Sequence, residues 1–235
     1  MKGKVALITG GSSGIGYGIA QELLKKGVNV GITGRDKGRI EKAAQNLEGL
    51  GGEVLPIQAD VRKFEAQKNA VKAVTDKWGQ LDYFVANAGL GHFGSIEELT
   101  PEQWSETIDT NLTGVFYSIK AALEPLKASK GYFITISSLA GTNFFAGGSA
   151  YNASKFGLTG FTQAIMLDLR DAGIRVSTIM PGSVATNFNN HTVNDEDAWK
   201  IQIEDIGEMV VGLFELNSRT LPSKIEVRPS QPPKK

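Results

Sequence analysis

Short runs that are apolar at every position alternate along this chain with longer stretches that are apolar on one side only. Residues 5–8, Val-Ala-Leu-Ile, open the series and predict a buried strand. Residues 14–26 follow with Ile15, Ile19, Leu23 and Leu24 at helical spacing. Further strands are predicted at 29–33, 53–58, 81–86, 132–137, 175–180 and, briefly, 225–227, with helices at 39–47, 64–78, 150–171 and near 205–216. Thr100-Pro101-Glu102-Gln103 announces one more helix through a Thr cap, a Pro in the first turn and a Gln three residues after the cap. That helix is expected to run past Asn111 toward Leu123. Strands without a polar face need cover on both sides, and the alternating helices supply it. The pattern therefore predicts an α/β fold with a doubly wound parallel sheet, whose ligands sit at the carboxyl ends of the strands. No linker or internal repeat interrupts it, so one domain is expected over 1–228, followed by a flexible, extended proline-rich tail at 229–235.

Composition narrows the function classes. Lys plus Arg number 25 and Asp plus Glu number 25, a formal net charge of zero, which argues against nucleic-acid binding through bulk positive charge. There is no cysteine and there are only two histidines, His92 and His191, so neither a thiolate nucleophile nor a metal centre is expected. No run approaches the ~18–20 apolar residues of a membrane span, and the four-residue run at 5–8 is shorter than the ~7–15 of an export signal. A cytoplasmic protein is the default expectation. Glycine is the outlier, with 28 of 235 residues.

Part of that excess falls directly after the first strand, in Thr9-Gly10-Gly11-Ser12-Ser13-Gly14-Ile15-Gly16. A strand, a glycine turn and a helix in this order make a pyrophosphate cradle. Gly10 allows the tight turn, and Gly14 and Gly16 let the first amides of the helix, with Ser12, Ser13 and Ile15, approach the phosphates. The spacing is not G-x-G-x-x-G, and an ordinary glycine-rich turn is the alternative. At the end of the second strand, Thr33-Gly34-Arg35-Asp36 offers Arg35 as a planar fork for a 2′-phosphate. That favours NADP, with NAD as the alternative. Asp36 is left either to cap the next helix or to meet the ribose, and Arg35 is alternatively an exposed loop residue paired with Asp36.

Tyr151 and Lys155 lie four residues apart on one helix face. Ser137-Ser138 ends the fifth strand, Asn87-Ala88-Gly89 ends the fourth, and Asn111 lies in the helix between them. Polar groups from separate segments thus converge on the edge where the glycine turn would hold a cofactor. The ordered set, with Asp60-Val61 and Pro181-Gly182, resembles the short-chain dehydrogenases/reductases in their compact branch, over about residues 3 to 228. The resemblance implies a seven-stranded sheet of order 3-2-1-4-5-6-7. It also implies that Asp60 and Val61 border the adenine, and that Asn87, Ala88 and Gly89 floor the nicotinamide ribose. Pro181, Gly182, Val184 and Thr186 would lie along the nicotinamide amide and pyrophosphate. It selects Ser138 over Ser137, has Lys155 hold the ribose, and has Asn111 kink its helix and anchor a water. The chain departs from the family at its end, where Ile225-Glu226-Val227-Arg228-Pro229 replaces a glycine-rich stretch.

The expected chemistry is hydride transfer between a nicotinamide cofactor and a carbonyl or secondary alcohol. Tyr151 acts as general acid/base and Ser138 hydrogen-bonds the reacting oxygen. A free phenol titrates near ~10, and a three-unit drop requires ~4 kcal/mol. The Lys155 ammonium, together with the oxidised nicotinamide, is expected to supply it. Leu90, His92, Phe93, Leu139, Phe144, Phe145, Phe188, His191 and Trp199 are candidates to line an apolar or flat substrate's pocket, with a mobile lid at 187–199. The helices at 101–123 and 150–171 match those that pair across family dimers, so a homodimer or homotetramer is expected. The other readings are an NAD-linked alcohol dehydrogenase, a non-catalytic dinucleotide sensor and, last, an epimerase or dehydratase of the extended relatives.

Overall fold

The computed structural model describes residues 1–231, so the expected tail lies outside the described residues from 232 onward. The chain forms one seven-stranded parallel sheet in the order β3-β2-β1-β4-β5-β6-β7. The strands are β1 (Val5–Thr9), β2 (Asn29–Gly34), β3 (Val54–Gln58), β4 (Tyr83–Ala86), β5 (Tyr132–Ile136), β6 (Arg175–Pro181) and β7 (Lys224–Val227). The helices are α1 (Gly14–Lys25), α2 (Lys37–Leu47), α3 (Phe64–Trp78), α4 (Pro101–Ile108), α5 (Gly114–Ser129), α6 (Ser149–Leu169) and α7 (Ile203–Glu215).

Period-two alternation sorts the core into two layers. Ala6, Ile8, Val30, Ile32, Val85, Ile134 and Ile179 face one side with residues of α1, α2 and α7. Val5, Leu7, Phe84, Ala86, Phe133 and Val176 face the other with residues of α3, α5 and α6. Each fully buried Leu, Ile or Phe contributes ~1.5–3 kcal/mol of transfer free energy, which is why the central strands carry no polar face. Pro56 is tolerated because β3 is an edge strand, paired only with β2.

Two details refine the sequence expectation, the first at the kink implied for Asn111. The long helix predicted from Pro101 is divided into α4 and α5 by one π-helical turn at Asp109–Thr113 that contains Asn111. A π turn inserts an extra residue and re-aims the side chains around it. The helix also continues past Pro125 to Ser129, because Leu126 is buried beneath it, and it ends where Lys130 turns left-handed at φ 50°. No helix among the described residues is long and apolar enough to cross a membrane.

Candidate active site

The carboxyl edge of the sheet carries the site. Gly10 and Gly14 adopt φ +68° and +58°, which L side chains avoid. At Gly16 a Cβ would stand 2.5 Å from both Asn87 Nδ2 and the Gly10 carbonyl oxygen. That close approach is used: Asn87 Nδ2 donates to the carbonyls of Thr9 and Gly10 at 3.0 and 3.1 Å, and Thr9 Oγ1 accepts from the amides of Asn87 and Ala88. The glycine turn is thereby fastened to the segment after β4. Ser13 caps α1 without a side-chain bond, and no acidic residue occupies the first turn, so the leading amides and the positive helix end are left for an anion. A Cβ on Gly14 would lie 3.4 Å from the Thr186 methyl, and one on Gly34 would lie 3.6 Å from Ser12 Oγ. The turn therefore faces the loop after β6 on one side and the end of β2 on the other.

Tyr151 and Lys155 share a face of α6, and Lys155 Nζ lies 5.7 Å from the Tyr151 ring centre. The ammonium is buried and donates to the Ile136 carbonyl at 3.0 Å. A Cβ on Gly89 would meet Asn111 Oδ1 at 3.3 Å and Lys155 Nζ at 3.7 Å, which joins the Asn87–Gly89 segment to the same site. The two serines separate cleanly. Ser137 is buried and bonds Thr159 Oγ1 and the Lys155 carbonyl at 3.0 and 3.3 Å. Ser138 is more open, accepts from the Ala140 amide at 3.1 Å and is the polar neighbour of the Tyr151 phenol. Three phenylalanines complete the wall. Phe93 and Phe188 lie 5.3 and 5.9 Å from the Tyr151 ring, and Phe145 lies 6.1 Å from Phe93.

Several expectations change here. The Lys155 ammonium together with the oxidised nicotinamide is expected to pull the phenol's pKa down; in the protein alone the balance runs the other way. Burial raises the Tyr151 pKa, opposed by its contact with Ser138. Burial also lowers Lys155 to about 8. Both charged forms are disfavoured in a site this dry. The Asn111 side chain, implied to anchor a water, is also bonded to protein. It accepts from the Leu90 amide, donates to the Leu90 carbonyl and donates to Ser154 Oγ at 2.9, 2.8 and 3.0 Å. Phe144 is 87% exposed and leaves the pocket to Phe145. Asp36 caps α2 by accepting from the Arg39 amide, and Arg35 reaches Glu106 rather than Asp36. The expected lid contains two short turns, Phe188–Asn190 and Asp195–Asp197. It is tied by Asp197 to Lys200 and, at 2.6 Å, to His191. Asp60 is paired with Arg62, and Val61 packs against the Gly114 position. Pro181 and Gly182 close β6 onto β7, the Gly182 amide donating to Val227 at 2.8 Å, and Val184 bridges Ile201.

Sequence reasoning missed Asn152, whose amide donates to the carbonyls of Ala140 and Asn143 at 2.8 and 2.7 Å and holds the segment after Ser138. It also missed Arg62 and Glu106. No local pattern distinguishes these residues from ordinary polar positions.

The sequence profile described as short chain dehydrogenase matches residues 4–197. The chain belongs to the short-chain dehydrogenase family. A short-chain dehydrogenase of this kind is a nicotinamide-dependent oxidoreductase working between CH–OH and C=O. Trans-4-hydroxycyclohexanecarboxylate dehydrogenase of Sinomonas cyclohexanicum is 41% identical over 189 residues, 78% of this chain and 73% of its own. The alcohol dehydrogenase of Thermococcus sibiricus, solved with 5-hydroxy-NADP, superposes with a TM-score of 0.91 at 31% identity, covering 99% of both chains. The 3-ketoacyl-(acyl-carrier-protein) reductase of Brucella melitensis, solved with NADH, gives 0.88 at 27% identity over 97% of this chain and 98% of that one. Short-chain dehydrogenase neighbours thus hold both phosphorylated and unphosphorylated nicotinamide dinucleotides.

Proposed function

We propose that the protein reduces the carbonyl of an apolar, ring-bearing substrate with NADPH, and catalyses the reverse oxidation, with Tyr151 as general acid/base. The convergence of Ser138, Tyr151 and Lys155 beneath Phe93 and Phe188 carries this reading. The glycine turn fits a dinucleotide: Gly10 and Gly14 need their positive φ, a side chain at Gly16 would fill the approach to the turn, and the α1 amides are unspent. Gly10, Ser12, Ser13, Gly14, Ile15 and Gly16 would hold the pyrophosphate, Arg35 the 2′-phosphate, and Lys155 the nicotinamide ribose. When bound, the cofactor supplies hydride to the carbonyl carbon.

The residues do the rest. Tyr151 gives its phenolic proton to the carbonyl oxygen as charge grows there. Its raised pKa keeps the proton in place at neutral pH, which suits reduction better than oxidation. Ser138 donates a hydrogen bond to the same oxygen and stabilises its negative charge. The phenylalanines present an apolar face that favours a flat or alicyclic body. The Sinomonas relative is named for a ring alcohol, which agrees with that wall.

The test is a panel of cyclic and open-chain ketones with each dinucleotide, followed by loss of reduced-nicotinamide absorbance. Turnover of cyclic ketones supports the reading. Tight dinucleotide binding with no turnover of any carbonyl would leave a sensor instead. For the cofactor, Arg35→Ala is expected to weaken NADPH binding about tenfold, the value of one charge-assisted contact, and to leave NADH binding unchanged. Fluorescence titration of both dinucleotides checks this, and an equal loss for both would remove Arg35 from the phosphate site. The assembly is expected to be a homodimer or homotetramer through α5 and α6, which expose Phe116, Phe156 and Leu167. Light scattering at micromolar concentration that shows only monomer would refute it.

A further inference from the structure

The end of β2, the segment after β3 and helix α4 bring four charged side chains into one cluster. Arg35 Nη1 donates to Glu106 Oε1 at 3.4 Å, and Arg62 Nη1 donates to the same oxygen at 3.2 Å. Arg62 turns its other edge to Asp60, with Nε 3.0 Å from Oδ1 and Nη2 2.7 Å from Oδ2. The second oxygen of Glu106 lies 2.9 Å from His92 Nε2. Among these four side chains two guanidinium charges face two carboxylate charges, a formal sum of zero. Guanidinium forks bind carboxylate and phosphate in the same planar manner, so a carboxylate bridging two arginines stands where a phosphate oxygen would stand. The bridge is open to exchange, since the Arg35 side chain is 59% exposed and that of Glu106 33%.

We propose that Glu106 is a specificity-determining residue whose carboxylate competes with the cofactor's 2′-phosphate for Arg35 and Arg62, so that it tempers the preference for NADP over NAD. The proposal rests on the reading of Arg35 given above. A phosphate dianion that approaches a neutral cluster meets no net attraction, and the Glu106 charge repels it. The hydroxyl that NAD carries at the same position is indifferent to that charge. Contacts with His92 and Arg62 hold Glu106 in its ionised form, so it does not yield by taking a proton at neutral pH.

Glu106→Gln keeps the side chain's shape and removes its charge. Titration of the full-length protein with NADPH and NADH, followed by nicotinamide fluorescence, should show NADPH binding tighten about tenfold and NADH change less than about twofold. The gain should shrink as salt is added, because exposed charges are screened. Glu106→Asp, which keeps the charge, should retain the wild-type ratio and controls for the shape of the helix. In an Arg35→Ala background the gain from Glu106→Gln should fall to about threefold or less. An unchanged or reduced NADPH-to-NADH preference in Glu106→Gln overturns the proposal, as does a full gain that survives loss of Arg35. A wild-type protein that binds neither dinucleotide overturns the cofactor reading as well. Binding of both by wild type with an unmoved ratio in the variant overturns the role of Glu106 alone.

Discussion

Replacing Tyr151 with phenylalanine is expected to lower carbonyl reduction by about 10²–10⁴-fold, the usual contribution of a positioned general acid. The substitution deletes one oxygen and leaves the ring packed beside both Phe93 and Phe188, so the aromatic wall and the fold persist. Dinucleotide affinity should therefore match wild type, and the loss should appear in kcat rather than in cofactor binding. The surviving phenol in wild type is a protonated one, because burial raises its pKa above the ordinary value of 10. Reduction should accordingly hold its rate through neutral pH, whereas oxidation, which needs the phenolate, should gain with alkalinity. Steady-state kinetics in both directions, beside NADPH titration, check this. Near-wild-type turnover in Tyr151→Phe would remove the phenol from the reaction.

Replacing Lys155 with methionine is expected to abolish most activity and to change how stability depends on pH. Burial lowers the Lys155 pKa from 10.5 to about 8. Between those values the unfolded chain binds the proton and the folded chain releases it, so stability rises with pH across this window. The size follows from the shift: roughly 2–3 kcal/mol gained between about pH 7 and pH 10, at 1.36 kcal/mol per unit. Buried Tyr83 and Tyr132 and half-buried Tyr151 have raised pKa values and act with the opposite sign, but only above pH 10. Denaturant midpoints for wild type and Lys155→Met at both ends of the window isolate the effect. Wild type should gain stability toward high pH, and the variant should lack that gain. At neutral pH the variant is relieved of a buried charge but leaves the Ile136 carbonyl without its donor, so these two changes oppose each other there. Parallel pH profiles for the two proteins would show that the ammonium is not held in a dry site.

The fold was legible in the order of apolar runs. Alternate residues of the central strands enter opposite core layers, and a segment such as Val5–Thr9, buried throughout, has no other stable place than the middle of a covered sheet. The Thr100 cap was legible for the same local reason, since its partners lie three residues away and the capping box forms as predicted. The glycine turn and the Tyr151–Lys155 pair were also readable, because positive φ and the helical repeat are short-range constraints. The meeting of the Ser137-Ser138 and Asn87–Gly89 strand ends and of Asn111 with that pair was expected from their places at the carboxyl edge, and only the choice of Ser138 was implied by resemblance.

Long-range geometry settled what local pattern left open. Ser137 and Ser138 are chemically identical neighbours, and only the packing of β5 against α6 turns one toward Thr159 and the other toward the phenol. Asn111 reads as a polar residue on a helix until the π turn places it between Leu90 and Ser154. In the protein alone the pKa of Tyr151 is raised by desolvation, which depends on how neighbouring elements pack around a group, and spacing along a helix carries no trace of that. Glu106 had no signal at all, since its partners Arg35 and Arg62 lie on other elements. Hydrophobic periodicity and backbone sterics act within a few residues and are written into the chain directly. Charge pairing and burial act through space between residues tens of positions apart, so they exist only once the layers have closed.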